Sequence, residues 1–280
     1  GTQETMYLHG DEFYHWTDNN PVDILPDVNG PARSPLRQAG GPNKVIGQPY
    51  LPERGLVILV NFKDLKFQKE NTRDEMDSLM NGKNYTYNGA YKSVREYFYD
   101  QSNGHYHPKF DVIGPVELDS SYAYYGTNDR SGLDQYLGDM VLEACIKADL
   151  DFGVDFSQYA KQDGKKVDFV FLYFAGPGEN HPGVSPDHCW PLQYNLTQCG
   201  NYINRDLHPN WTKEMVRDGV TVDMFAYTNE VSPQNVREGI GTFCHEFGHV
   251  LGLADYYNTV GQDYYSCIPG NWHTMALGCY

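Results

Sequence analysis

Val167-Asp-Phe-Val-Phe-Leu-Tyr-Phe174, closed by Gly176-Pro177-Gly178, is an almost unbroken apolar and aromatic run with a turn at its end. A run of that length and texture predicts a strand buried on both faces. Gly55-Leu-Val-Ile-Leu-Val-Asn-Phe62, rich in β-branched residues, reads the same way, and residues 222–227 form a third candidate. Residues 106–113 alternate weakly and are expected as a strand ending at Gly114-Pro115. Helical spacing fills the gaps. Ser93 can cap a helix through Asp100, with Val94, Tyr97 and Phe98 on one face. Residues 133–148 carry Leu137, Val141, Leu142, Cys145 and Ile146 at helical intervals, and another helix is expected over 237–251. Strand, helix, strand, helix, strand in that order predicts an α/β (α+β) fold around a mixed, mostly parallel twisted sheet, its faces covered by helices.

Residues 1–50 differ in texture, being polar and broken by Pro21, Pro26, Pro31, Pro35, Pro42 and Pro49 around one aromatic patch, Phe13-Tyr14-His15-Trp16. They are expected as an extended arm. It is either a brace over an apolar face or the remnant of a pro-segment, in which Asp23 or Asp27 would block the site until cleavage.

Composition narrows the function. The chain has 280 residues, 40% of them hydrophobic, with 28 Gly and 16 Pro, which is a folded protein with generous loops. Its longest apolar runs are far too short to cross a bilayer. Acidic residues outnumber basic ones 37 to 21, a formal charge of −16 that repels a phosphate backbone and argues against nucleic-acid binding. The six cysteines include no C-x-x-C pair, which removes zinc ribbons and thioredoxin-type sites. The spacings of Cys189 with Cys199 and of Cys267 with Cys279 suit short-range disulfides of an exported protein. Cys145 and Cys244 lie in apolar helical patterns and read equally well as free core thiols. No signal peptide precedes the first strand; a leading Gly is what tag removal leaves, so an export signal removed beforehand and a secreted or cell-surface location are expected.

The chemistry is concentrated in His245-Glu-Phe-Gly-His-Val-Leu-Gly-Leu-Ala-Asp255. On a helix, His245 and His249 lie one turn apart on the same face, where both imidazoles can reach one Zn2+ at about 2.0–2.1 Å. Glu246, beside the first His, is directed slightly off the metal towards a water whose pKa zinc lowers to about 7. Gly252 suits the left-handed position that ends a helix abruptly. After the reversal, Asp255 returns towards the metal as a third, oxygen ligand, leaving a fourth position open. A solvated helix face is the bland alternative. The apolar neighbours Phe243, Val250, Leu251 and Leu253 oppose it, because two buried His and a Glu without partners would be costly.

The H-E-x-x-H-x-x-G-x-x-D pattern resembles the metzincin zinc peptidases in their variant with Asp as third ligand. That clan has a Met-containing turn beneath the metal, and Asn271-Trp-His-Thr-Met-Ala-Leu-Gly278 is similar to it, with Met275 the counterpart. More narrowly, the chain resembles the M6 (immune inhibitor A-like) peptidases. The similar stretches are Leu56–Phe62, Val94–Ser102, Phe110–Val116, Thr242–His249 and Tyr7–Trp16. The resemblance implies a metzincin-like catalytic domain over 51–280, with two long helices, an active-site helix and a Met-turn. An upper part over 51–252 and a short or truncated lower part over 253–280 are implied with it. It also implies Phe169–Tyr173 as a candidate edge strand on which a substrate aligns, with a wholly interior strand as the alternative. There are departures. Leu253-Ala254-Asp255 stands where relatives often have L-P-D, and His273 where they tend to have Asp. Ala160-Lys-Gln-Asp-Gly-Lys-Lys166 replaces an Asp-rich calcium loop, so calcium has weak support.

A secreted zinc-dependent endopeptidase acting on proteins or peptides is therefore expected, with Glu246 as general base and His245, His249 and Asp255 as metal ligands. Tyr257, Tyr280 and Tyr256 are candidates for oxyanion or substrate contact, although packing is the better account of any one of them. A catalytically idle metal protein of the same fold, or a zinc hydrolase of a non-peptide bond, are the alternatives. For His273 a backbone-bonded turn histidine is favoured over a further metal contact. His181, His188 and His208 have no ligand-like spacing, and Asp129, Asp134, Asp151 and Asp155 lack the alternation of a calcium loop.

Overall fold

The computed structural model describes residues 5–8, 14–17, 50–130, 132–200, 202–209, 211–256, 270–276, 278 and 279. Near the N-terminus, β1 (Thr5–Leu8) and β2 (Tyr14–Thr17) pair antiparallel, Thr5 opposite Thr17. The main sheet uses β3 (Arg54–Asn61), β4 (Lys109–Glu117), β5 (Val170–Phe174) and β6 (Leu192–Asn195). A small hairpin of β7 (Met215–Arg217) and β8 (Val220–Val222) precedes its last strand, β9 (Met224–Asn229). The order is β4-β3-β5-β9-β6, parallel throughout except for β6, which runs antiparallel at one edge.

The period of two in these strands divides the core into two layers. Leu56, Ile58 and Val60 of β3, Val170, Leu172 and Phe174 of β5, and Phe225 and Tyr227 of β9 join one cluster. It is covered by α3 (Tyr122–Gly126) and by the four-turn α4 (Leu137–Phe152). Val57, Leu59, Phe171, Tyr173 and Ala226 join the other. Over these lie α1 (Arg73–Asn81), α2 (Val94–Gln101) and α5 (Gly241–Val250). Among the described residues no helix is long and apolar enough to cross a membrane.

Several boundaries differ from the sequence reading for physical reasons. Ser93 accepts the Glu96 N–H and opens α2 as expected. β4 continues past Gly114-Pro115: Gly114 adopts φ 99°, and the pairing with β3 shifts register between Ile58 and Val60. A side chain at 114 would meet the Leu59 carbonyl at 2.7 Å, so only glycine lets the strands approach here. α4 starts four residues late, because Asn128 and Asp134 form a bridge that holds the preceding chain extended. Phe169–Tyr173 is not an edge: β5 lies between β3 and β9 with every position buried, and the edge belongs to β6.

The Cys189–Cys199 disulfide is also corrected. Cys145, Cys189, Cys199, Cys244 and Cys279 are all free, buried thiols, and Cys267 lies outside the described residues. Between Cys189 and Cys199 the extended β6 intervenes, and Cys199 turns its S–H to the Asn195 carbonyl at 3.4 Å. Burial pushes the Cys145 thiol up to about 12.

α5 is fixed by aromatic packing. Phe243 stacks on Phe171 with ring centroids 3.9 Å apart, and Phe247 packs among Phe98, Phe110 and Phe169 at 5.0–5.4 Å. Phe247→Ala should lower stability by about 3–5 kcal/mol in urea titration, the usual cost of emptying so large a buried site. Alkylation in denaturant without reductant should label all five described cysteines, whereas the native protein should react slowly.

Candidate metal centre

α5 presents His245, Glu246 and His249 with ligand atoms all within 4.8 Å of one another. The helix stops at Gly252, whose φ of 90° suits the left-handed region. The Gly252 N–H reaches the His249 carbonyl at 3.0 Å and the Leu253 N–H reaches the Gly248 carbonyl at 2.9 Å, the paired bonds of a glycine-terminated helix. This reversal sends the chain back along the helix and brings Asp255 under the two rings.

Each imidazole is oriented by a backbone carbonyl. His245 Nδ1 lies 2.8 Å from the Thr274 oxygen and His249 Nδ1 lies 2.9 Å from the Leu253 oxygen. A carbonyl only accepts, so each Nδ1 carries a proton, and Nε2 is the atom that each ring turns towards Asp255. Asp255 Oδ1 sits 3.2 Å from one Nε2 and 3.3 Å from the other. That oxygen is buried, yet no hydrogen bond is aimed at it. When both Nε2 atoms are deprotonated, three electron pairs converge on one position. Donors bound tetrahedrally at about 2.0–2.1 Å stand about 3.3 Å apart, so the set fits a small dication.

The electrostatics follow. Burial alone would push the His249 ring down, but Asp255 beside it outweighs burial and holds it above the usual histidine range. His245 is held up in the same way against burial. Burial would raise Asp255, and the two rings instead hold it well below the usual carboxylate range. Glu246 is raised by burial, against the opposing pull of both imidazoles.

Beneath the helix runs the turn around Met275. Met275 is buried, and a Cβ at Gly248 would meet its Sδ at 2.4 Å, so the sulfur fills the space that this glycine leaves between the two histidines. The turn is tied to its surroundings at three points. Thr274 Oγ1 and Tyr97 Oη of α2 are 2.5 Å apart, the Tyr256 N–H reaches the Met275 carbonyl at 2.7 Å, and the Met275 N–H reaches His273 Nδ1 at 3.0 Å. Burial pushes the His273 ring down to about 4, helped by the charge of His245. Tyr97, Thr274 and Leu253 orient the site without any sequence signal, because Thr274 and Leu253 act through backbone carbonyls and Tyr97 reaches in from a neighbouring helix.

Other candidates lie apart. Tyr257 and Tyr280 fall outside the described residues, as do Asp23 and Asp27. His188 packs on Tyr122, His208 faces Asp139 and His181 faces Glu238, so the three loop histidines have separate neighbours. Asp155 caps a turn at Ser157, Asp134 accepts from the Trp190 N–H and Tyr227 Oη, and Asp129 accepts from the Leu133 N–H. In the loop at 160–166, Asp163 Oδ1 accepts from the Lys165 and Lys166 amides.

A buried donor set of this kind, on a helix beneath a mostly parallel sheet, is that of a metal-dependent hydrolase. The family model described as immune inhibitor A peptidase M6, catalytic domain, matches residues 51–280. The chain belongs to that family of metallopeptidases. It is similar to the pre-pro-metalloprotease PrtV of Vibrio cholerae serotype O1, 25% identical over an alignment 239 positions long that covers 74% of this chain and 25% of PrtV. It is also similar to immune inhibitor A of Bacillus thuringiensis subsp. alesti, 24% identical over 307 aligned residues covering 94% of this chain and 42% of the relative. The chain thus spans between a quarter and two fifths of the length of these curated relatives.

Gly248→Ala should force Met275 out of its seat and destabilise the protein by about 1–3 kcal/mol. Thermal unfolding of the metal-free chain would register this loss, and an unchanged midpoint would show that Met275 does not support the helix.

Proposed function

We propose that residues 51–280 form the catalytic domain of a secreted zinc-dependent endopeptidase, with residues 1–50 as an accessory arm. Its division into parts falls at the Gly252 reversal. His245, His249 and Asp255 hold the ion, Glu246 handles the proton, and Met275 is the apolar floor. The observation that carries this is the buried Asp255 Oδ1, which lies 3.2 Å and 3.3 Å from the Nε2 atoms of His245 and His249 with no hydrogen bond aimed at it. The family match and the metalloprotease name of PrtV support the class, and the pre-pro designation of that relative supports export.

Bound zinc supplies a Lewis acid that polarises the scissile carbonyl and acidifies water to a pKa of about 7. Everything else falls to the chain. Glu246, pushed up by burial, is a carboxylate basic enough to take a proton from the attacking water and acidic enough to return it to the leaving nitrogen. The Thr274 and Leu253 carbonyls hold the His245 and His249 tautomers, so the donor atoms stay aimed through the cycle. The buried position of Glu246 keeps bulk water from competing for its proton.

Glu246→Gln should cut cleavage of a peptide library by about 10²–10⁴-fold while leaving one tightly held zinc per centre by elemental analysis. Chelator should abolish the wild-type activity, and added Zn2+ should restore it. Cleavage that survives chelation would refute the proposal. Full zinc occupancy without cleavage would mark an idle metal protein, and turnover of esters or amides alone a hydrolase of another bond.

A further inference from the structure

At the C-terminal ends of β5 and β9 a second group of donors meets, sharing no residue with the His245, His249 and Asp255 set. His181 Nε2 and Glu238 Oε1 are 2.9 Å apart, with side chains only 20% and 19% exposed. Such a distance would mean a strong ion pair if an N–H pointed at the oxygen. None does: Glu238 Oε1 is buried with no hydrogen bond aimed at it.

Two amides adjoin that pair. Asn229 is fully buried, and its Nδ2 donates to the Val231 carbonyl at 2.9 Å and, over a longer 3.4 Å, to His181 Nε2. This fixes the amide so that Oδ1 turns towards Gly178. Asn180 adds a second amide whose Oδ1 and Nδ2 are both buried without any hydrogen-bond partner. A Cβ at Gly178 would lie 2.4 Å from Asn180 Oδ1 and 2.9 Å from Asn229 Oδ1. The glycine therefore leaves open the space on which both oxygens converge. Leaving a whole amide unpaired in the interior costs about 1–3 kcal/mol for each group, which calls for a ligand.

We propose that His181, Glu238, Asn180 and Asn229 form a second cation site for a divalent first-row transition metal, from Mn2+ to Zn2+. One imidazole with carboxylate and amide oxygens is a donor set of intermediate hardness, with no thiolate to draw Cu(I) and with a nitrogen that Ca2+ does not favour. The 2.9 Å edge distinguishes it from the first centre: cis donors in six-coordinate geometry with bonds of about 2.05 Å stand about 2.9 Å apart. The ion would clip the loop after β5 to the turn at 230–238, which is held by the Val231–Arg237 bridge and by the Glu238 N–H on the Glu230 carbonyl. That turn leads directly into α5, so the clip would brace the approach to the helix that carries the first centre.

The test is metal stoichiometry on the full chain, stripped with chelator, dialysed, and titrated with Co2+ and with Zn2+ by calorimetry and elemental analysis. Wild type should bind two equivalents, the second Co2+ giving the weak visible bands of six-coordinate ion. His181→Ala and the nearly isosteric Glu238→Gln should each bind one equivalent, and His249→Ala should retain the second while impairing the first. The second equivalent should also raise the thermal midpoint of wild type but not of Glu238→Gln. One equivalent in wild type overturns the proposal, and so does a second equivalent that survives in both His181→Ala and Glu238→Gln. Because each equivalent is assigned by its own variant, the result stands apart from whether the first centre hydrolyses peptides.

Discussion

The structure is organised around two imidazole Nε2 atoms and one carboxylate oxygen brought together in a buried place. Two Nε2 atoms and one carboxylate oxygen at 3.2–3.3 Å repel one another unless a positive charge sits among them. Placing them in a buried position costs desolvation as well, so the surroundings must hold them there. They do so from outside the set: the Thr274 and Leu253 carbonyls hold the rings, and Gly252 turns the chain that carries Asp255. Each of these restraints is made by backbone, which cannot change rotamer to relieve the repulsion.

Rigid side chains require a rigid helix, and here the parallel sheet matters. A parallel sheet is buried on both faces, so a helix laid against it can be anchored by large aromatic residues. Phe243 and Phe247 serve that purpose on one side of α5 while His245 and His249 occupy the other. Gly248 lies between them in sequence, and its missing side chain admits the Met275 sulfur. The same stretch of ten residues thus meets three different partners: the sheet, the Asp255 carboxylate and the turn around Met275. None can be moved without disturbing the others.

Much of this was legible in the sequence, and the reasons differ by element. β3, β5 and β9 were visible because strands buried on both faces become continuous apolar runs, and α2 because Ser93 announces its start. The spacing within H-E-x-x-H-x-x-G-x-x-D marked out side chains that the fold does bring together, because a helix turn and a glycine reversal are local geometry. What failed was what depends on remote pairing. The place of β5 inside the sheet is decided by β3 and β9, far away in sequence, so no local pattern marks it as interior rather than edge. Cys189 and Cys199 are close in sequence, but β6 is drawn away to pair with β9 and separates their thiols. The contact of His181 with Glu238 was likewise invisible, because Glu238 comes from a different strand end.

The late start of α5 shows how such remote pairing shapes the site. Periodicity alone would begin the helix at Arg237, yet the helix begins at Gly241. Arg237 is only 3% exposed and is drawn towards Asn71 Oδ1 at 2.7 Å, Glu75 and Tyr85 Oη at 3.2 Å, and the face of the Tyr87 ring. Asn71 in turn donates to Glu230, a fully buried carboxylate that also accepts from the Gln68 and Gly176 amides. Burial pushes Glu230 up, and these bonds are what make its position tolerable. Buried polar groups of this sort contribute little net stability, but each has one arrangement in which all partners are satisfied. Arg237 in a first helical turn would leave Asn71 and Glu75 without it. The network therefore fixes where the turn ends and the helix begins, and with it the rotation that aims His245 and His249 at Asp255.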